Sequence, residues 1–324
     1  MPRKGTFFNH YYTIMKRRNF LRNGLATSAF AGISGMTLAQ SIPNSSLAAE
    51  NSFKLKYAPH FGMFKHLAGE DKIDQLKYAA DQGFKAWEHN GMKNETVDMQ
   101  EKIADTMSDL GMEMGVFVAH KIYWSEPSLT TGKQDSKQEF LDQIRESVDV
   151  AKRVNARWMT VVPGFVDLRQ EHDYQTANVV DALRRASDIL EPHGLVMVLE
   201  PLNYMNHPGL FLEKAAQAYS ICKAVDSPSC KILYDIYHQQ ITEGNLIPNI
   251  DLSWDEIAYF QIGDNPGRKE PTSGEINYKN VFKHIYAKGW EGILGMEHGI
   301  SRDGKQGELG LIQAYRTVDD FNVS

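Results

Sequence analysis

From about residue 53 onward, short apolar runs alternate with longer stretches of helical spacing, and this alternation limits the folds open to the chain more than any other feature. Eight runs read as strands: 53–61, 85–89, 113–119, 158–163, 195–202, 231–235, 258–262 and 292–297. Between them apolar residues recur every three or four positions, as in Ile73-Leu76-Ala79-Ala80, Ile103-Met107-Leu110, Phe140-Ile144-Val148-Ala151, Val179-Leu183-Ala186-Leu190 and Phe282-Ile285-Tyr286. Gly83, Gly111, Gly194 and Gly289 each stand just before a strand, where a helix stop wants a residue that tolerates positive φ. Eight strand-and-connection units in sequence predict an α/β protein, a single (β/α)8 TIM barrel of about 250 residues or slightly more. An open doubly wound sheet would carry a glycine-rich phosphate loop after its first strand, and Phe61-Gly62-Met63-Phe64 offers none. No linker divides residues 50–324, so one domain is expected there.

The front of the chain is different in kind. Residues 1–49 hold six basic side chains (Arg3, Lys4, Lys16, Arg17, Arg18, Arg22) and no acid, which leaves 29 basic against 41 acidic groups, a net of −12, over the rest. Lys16-Arg17-Arg18-Asn19-Phe20-Leu21-Arg22 precedes an uncharged, weakly apolar stretch rich in Ala, Gly, Ser and Thr. This pattern reads as an export signal, and the paired arginines are similar to a twin-arginine signal read by the machinery that exports folded proteins. Residues 1–49 are therefore expected to be signal peptide and short linker, and the mature protein to be periplasmic, without stable membrane association. A membrane anchor would need roughly 20 strongly apolar residues. The acidic body repels phosphate backbones, which argues against a nucleic-acid partner. Cys222 and Cys230, the only cysteines, read as two buried free thiols.

In a barrel, chemistry sits where strands end at their C-terminal face. Four consecutive apolar runs close on an oxygen donor: Val196-Met-Val-Leu-Glu200, Ile232-Leu-Tyr-Asp235, Tyr259-Phe-Gln261 and Ile293-Leu-Gly-Met-Glu297. A single carboxylate at a strand end is most simply a helix cap or a solvated group. Four in succession point instead to a hard divalent cation, Mg²⁺ or Mn²⁺, because charge ends a buried strand at low cost only when it is paired or binds an ion.

Glu200-Pro-Leu-Asn with the following His207-Pro-Gly-Leu-Phe, Tyr234-Asp-Ile-Tyr-His238-Gln-Gln with Glu243-Gly-Asn-Leu, Gln261-Ile-Gly-Asp-Asn-Pro-Gly-Arg268, and Gly289-Trp290-Glu-Gly with Glu297 together resemble the hydroxypyruvate isomerases among the xylose-isomerase-like barrels. The resemblance is strong over about residues 196–298 and weaker before them. It implies a divalent cation held by Glu200, Asp235, Gln261 and Glu297, with His238 and Arg268 on the substrate's oxygens. Glu200 and Glu297 would double as the acid–base pair of a proton transfer through an enediolate. Return of the proton to the neighbouring carbon makes an isomerase, and return to the opposite face of the same carbon makes a periplasmic ketose or keto-sugar epimerase. His89, His120 and Trp124 lie on the early loops that would shape the far side of the pocket. They can bind a larger sugar, since an aromatic face packs on a pyranose ring, or be ordinary half-buried residues. A small sugar or hydroxy-keto acid is the expected partner. A non-catalytic sugar-binding barrel would need no paired glutamates, and a nuclease of the endonuclease IV type would want clustered histidines and a basic face.

Overall fold

The computed structural model describes residues 52–322. Residues 1–49, read above as an export signal, lie outside the described residues. The strands are β1 (Lys56–Ala58), β2 (Ala86–Trp87), β3 (Glu113–Met114), β4 (Trp158–Val161), β5 (Val196–Leu199), β6 (Cys230–Asp235), β7 (Ile257–Gln261) and β8 (Ile293–Gly295). The helices are α1 (Lys65–Ala68), α2 (Lys72–Asp81), α3 (Val97–Asp109), α4 (Gln134–Arg153), α5 (His172–Leu190), α6 (Ala215–Val225), α7 (Ile236–Thr242), α8 (Leu246–Ser253), α9 (Tyr278–Ala287) and α10 (Gly304–Asp319).

All strand pairs are parallel, in the orders β1-β8-β7-β6-β5-β4 and β2-β3. Backbone bonds beyond the ladders join the two pieces into a ring. Glu88 N donates to Pro59 O (2.9 Å) between β1 and β2, and Thr160 N donates to Phe117 O (2.8 Å) between β3 and β4. The eight strands thus close into the TIM barrel that the sequence predicts. Each expected strand is present, and most are shorter than expected. The run 113–119 keeps ladder pairing only at its first two residues; beyond them Gly115 N bonds Trp87 O and Ala119 N bonds Thr160 O as single links.

The sequence pattern explains the layers. Val196 to Leu199 are all buried, as a parallel strand covered on both faces must be. Ala58, Ala86, Val116, Val196, Val198, Leu233, Tyr259 and Ile293 form a small cluster inside the ring, with Trp158 against it. A larger cluster lies between ring and helices, where α4 turns Phe140, Leu141, Ile144, Val148 and Ala151 inward. Each such Leu, Ile or Phe contributes about 1.5–3 kcal/mol by leaving water. Gly83, Gly111, Gly194 and Gly289 do adopt positive φ, between 64° and 92°. Among the described residues no helix is long and apolar enough to cross a membrane. Cys222 and Cys230 are buried and free; a hydrogen bond from the Cys222 thiol to Cys230, then burial, pushes the Cys222 thiol up.

Candidate active site

Asp235 and Gln261 are register partners at the ends of β6 and β7, and Gln261 pairs in turn with Gly295 of β8. The ladder therefore brings their side chains to one end of the barrel. Glu200 follows β5 and Glu297 follows β8, so all four strand-end groups meet at the C-terminal mouth.

Asp235 is fully buried and divides its carboxylate between two tasks. Oδ1 caps α7, accepting from Tyr237 N (2.7 Å) and His238 N (3.2 Å). Oδ2 faces the site and accepts from Arg268 Nη2 at 3.0 Å. The same Nη2 donates to Glu297 Oε2 (2.6 Å), and Arg268 Nε donates to Glu297 O (3.0 Å). Burial works against the guanidinium's charge, but Glu297, Asp235 and Glu200 hold it protonated. Its guanidinium carbon lies over the Tyr237 ring, 5.1 Å from the centroid. Arg268 reaches this place from a left-handed backbone (φ 50°), a conformation that the surrounding contacts must sustain.

The loop after β7 owes its shape chiefly to Asp264. That buried carboxylate accepts from Asn265 N (3.0 Å), Gly274 N (2.8 Å) and Ile276 N (3.1 Å), while Asp264 N donates to Lys269 O (2.8 Å). The Pro-Gly turn is thus tied down by an acid whose partners lie up to twelve residues ahead. Glu270 fastens the loop to the one after β8 through Ser301 N (2.8 Å) and Ser301 Oγ.

Glu200 is buried, with His238 Nε2 3.8 Å from Oε1. Burial, then Glu297 and Asp235 nearby, pushes its carboxyl well above the usual range. Burial also raises Glu297, against the pull of Arg268, and Asn90 Nδ2 donates to its Oε1 at 3.0 Å.

His238 is buried and its ring is oriented by Asn203, whose backbone N (3.2 Å) and Nδ2 (2.6 Å) both approach Nδ1. Burial lowers its pKa to about 4, so the ring is neutral near pH 7. A neutral ring that accepts at Nδ1 carries its proton on Nε2. That atom has no hydrogen-bond partner and lies 3.6 Å from Asp235 Oδ2. It is placed to donate to a ligand oxygen.

Unpartnered buried atoms collect here: Asn90 Oδ1, His238 Nε2 and Gln261 Oε1 are three of the nine found among the described residues. Glu200, Asp235 and His238 each offer an atom within 4.8 Å of the others, a spacing that can hold a cation. Since His238 Nε2 bears a proton, the donor set better suited to a hard cation is the carboxylates with the free carbonyl oxygen of Gln261. The residues present fit a divalent ion.

His120 stands apart from this group. Its Nε2 accepts from Val162 N (3.3 Å), its ring packs edge-on against Phe140, and burial lowers its pKa to about 4. It borders a cleft of about 450 Å³ that Asn90, Lys121 and Gln143 also line, a volume suited to a small ligand. His89 turns to Glu95 (2.8 Å). Trp124, half exposed, stacks on His207 (5.3 Å), which meets His238 (5.4 Å), so an aromatic file leads from the surface into the site.

Two contributors escaped the sequence reading. Glu88, at the end of β2, accepts from Tyr259 Oη (2.8 Å) and Gln261 Nε2 (2.9 Å). Burial and Glu297 nearby push its carboxyl up to about 8. Asn90 supports Glu297. Glu88 obeys the same rule as its counterparts, an apolar pair closing on an acid; the neutral Asn90 carries no such signal.

A family model described as a xylose isomerase-like TIM barrel matches residues 76–316. Hydroxypyruvate isomerase of Escherichia coli is 32% identical over 162 residues, a match spanning 50% of this chain and 63% of that protein. A 2-oxo-tetronate isomerase of Pectobacterium atrosepticum is 27% identical over 242 residues, covering 72% of this chain and 89% of that one. Among solved structures, the 3-keto-D-glucoside 4-epimerase of E. coli superposes with a TM-score of 0.69 at 20% identity, covering 81% of this chain and 99% of the other, a likeness of fold.

Proposed function

Because the chain belongs to the xylose isomerase-like TIM barrel family, we propose that it isomerises a sugar or hydroxy-keto acid by proton transfer through an enediolate, with Glu200 and Glu297 as the acid–base pair. The observation that carries this reading is the convergence of Glu200, just after β5, and Glu297, just after β8, at the barrel mouth beside Asp235 and Gln261, around one set of unpartnered donors and acceptors. A carboxylate beside the reacting carbon can take its proton, and a carboxylic acid on the neighbouring strand can return one.

Glu200, Asp235 through Oδ2, Gln261 through Oε1 and Glu297 would hold a divalent cation, Mg²⁺ or Mn²⁺. When bound, the ion would stabilise negative charge on the substrate's adjacent oxygens. His238 Nε2–H would donate to one of those oxygens. Arg268 spends Nε and Nη2 on Glu297 and Asp235, which leaves Nη1 for the substrate. One glutamate, ionised, removes the proton on carbon, and the other, protonated, delivers a proton to the neighbouring carbon. The hydroxyl proton passes between the two adjacent oxygens, and proton exchange with water resets the pair.

The isomerase reading stands first because both curated relatives above bear isomerase names. Delivery to the opposite face of the same carbon, an epimerase, is the second reading, since the two glutamates come from different strands of the ring. Residues 1–49, as a twin-arginine signal, would place this chemistry in the periplasm. The test is proton NMR of a panel of ketoses, aldoses and hydroxy-keto acids incubated with Mn²⁺-supplemented protein. Interconversion of at least one pair supports the proposal; binding of a sugar without any conversion would hand the case to a binding protein.

A further inference from the structure

Inside the barrel, below the mouth, three polar side chains form a row: Tyr259, Glu88 and Gln261. Tyr259 Oη donates to Glu88 Oε2 (2.8 Å), and Gln261 Nε2 donates to Glu88 Oε1 (2.9 Å). All three are buried, Glu88 at 2% exposure and Gln261 at 1%. Two neighbouring positions are glycine where the row passes. A β-carbon on Gly295 would lie 1.9 Å from Glu88 Oε2, and one on Gly115 would lie 2.4 Å from Tyr259 Oη. The strands on either side leave space for this row and for nothing larger.

An apolar side chain would fill the same space at less cost, because a carboxylate taken from water must recover its solvation from hydrogen bonds. What Glu88 does with its bonds is specific. A glutamine amide can turn either end toward a neighbour, and with Oε1 of Glu88 as acceptor only the NH₂ end of Gln261 suits. The carbonyl end is therefore turned the other way, and Gln261 Oε1 is the atom left without a partner.

We propose that Glu88 is a positioning residue: by taking the amide hydrogens of Gln261 it aims the carbonyl oxygen of Gln261 at the point where Glu200, Asp235 and Glu297 converge, making a neutral side chain into an oriented oxygen ligand. The inference rests on the reading of that point as a divalent-cation site. Residues that orient a metal ligand from behind carry a characteristic share of its affinity.

Mn²⁺ titration calorimetry on the full chain, beside thermal melting without metal, tests this. Glu88→Met should weaken Mn²⁺ binding about 10–100-fold, while the metal-free protein still melts cooperatively at a Tm lowered because Tyr259 Oη and Gln261 Nε2 lose their acceptor. Glu88→Leu takes its place should that variant not fold. Glu88→Gln, whose carbonyl can still accept from Gln261, should stay within a few-fold of the parent. On a Gln261→Met background Glu88→Met should cost nothing further, since no amide remains to be aimed. A parent that binds Mn²⁺ and a Glu88→Met variant that binds it equally well would overturn the positioning role and leave the cation site standing. Loss in Glu88→Gln as large as in Glu88→Met would overturn it too, by showing that charge and not orientation is what Glu88 supplies. A parent that binds no divalent cation would defeat both readings.

Discussion

Asp235 meets Arg268 with one oxygen only: Oδ2 lies 3.0 Å from Nη2, while Oδ1 is occupied capping α7. A helix cap and a site carboxylate are here the same residue. One oxygen serves the helix and the other pairs with Arg268 at the barrel mouth.

That division makes a separable prediction for Asp235→Asn. Asparagine is as good a cap as aspartate, so α7 should persist and the melting temperature should change little. The charge facing the site is lost and an NH₂ can be set against Arg268. Mn²⁺ affinity in calorimetry should therefore fall by more than the roughly 10–100-fold that a supporting residue carries. Affinity equal to the parent's would remove Asp235 from the ligand set.

Arg268 should not be replaceable by lysine. Its Nε reaches Glu297 O while Nη2 spans Glu297 and Asp235, a fork that a single ammonium cannot copy. Arg268→Ala and Arg268→Lys should both raise KM for whatever substrate is identified, and kcat should fall as well if Nη1 stabilises developing charge. Wild-type steady-state constants in Arg268→Lys would contradict the arrangement.

Acid should weaken the fold partly through His120. Its folded pKa is lowered by burial to about 4, so the unfolded chain takes up a proton first as pH drops through 6.5. Its contribution is present in full above about 6.5 and is lost as pH falls toward about 4, to a total of roughly 3 kcal/mol if the whole shift is realised. His120→Gln should flatten the fall of Tm between pH 7 and 4.5. An unchanged pH profile would show that the imidazole is not held neutral by its surroundings.

The barrel was legible because apolar run and helical stretch alternate eight times, a pattern that survives errors at every boundary. Strand lengths were less legible: between Gly115 and Ala119 single backbone bonds replace a ladder, and pairing of that kind leaves no mark on hydrophobic spacing. Within the site, Glu200, Asp235, Gln261 and Glu297 could be read because each closes a long apolar run. Glu88 closes a run of only two ladder residues, Ala86 and Trp87, too short to mark its acid, and His89 beside it turns toward Glu95. The proton on His238 Nε2 depends on Asn203, 35 positions away, and a contact made only by folding cannot be read along the chain.

Glu200 and Glu297 would move a proton between carbon atoms, and turnover in D₂O followed by NMR reads that transfer at the carbon itself. Deuterium is expected on the substrate carbon in the parent, with a rate lower by at least about 10²–10⁴ in Glu200→Gln and in Glu297→Gln, which keep an oxygen donor but lack the base. Product formed without deuterium would point to a hydride shift, and undiminished exchange in the variant carrying both substitutions would remove Glu200 and Glu297 from the proton transfer.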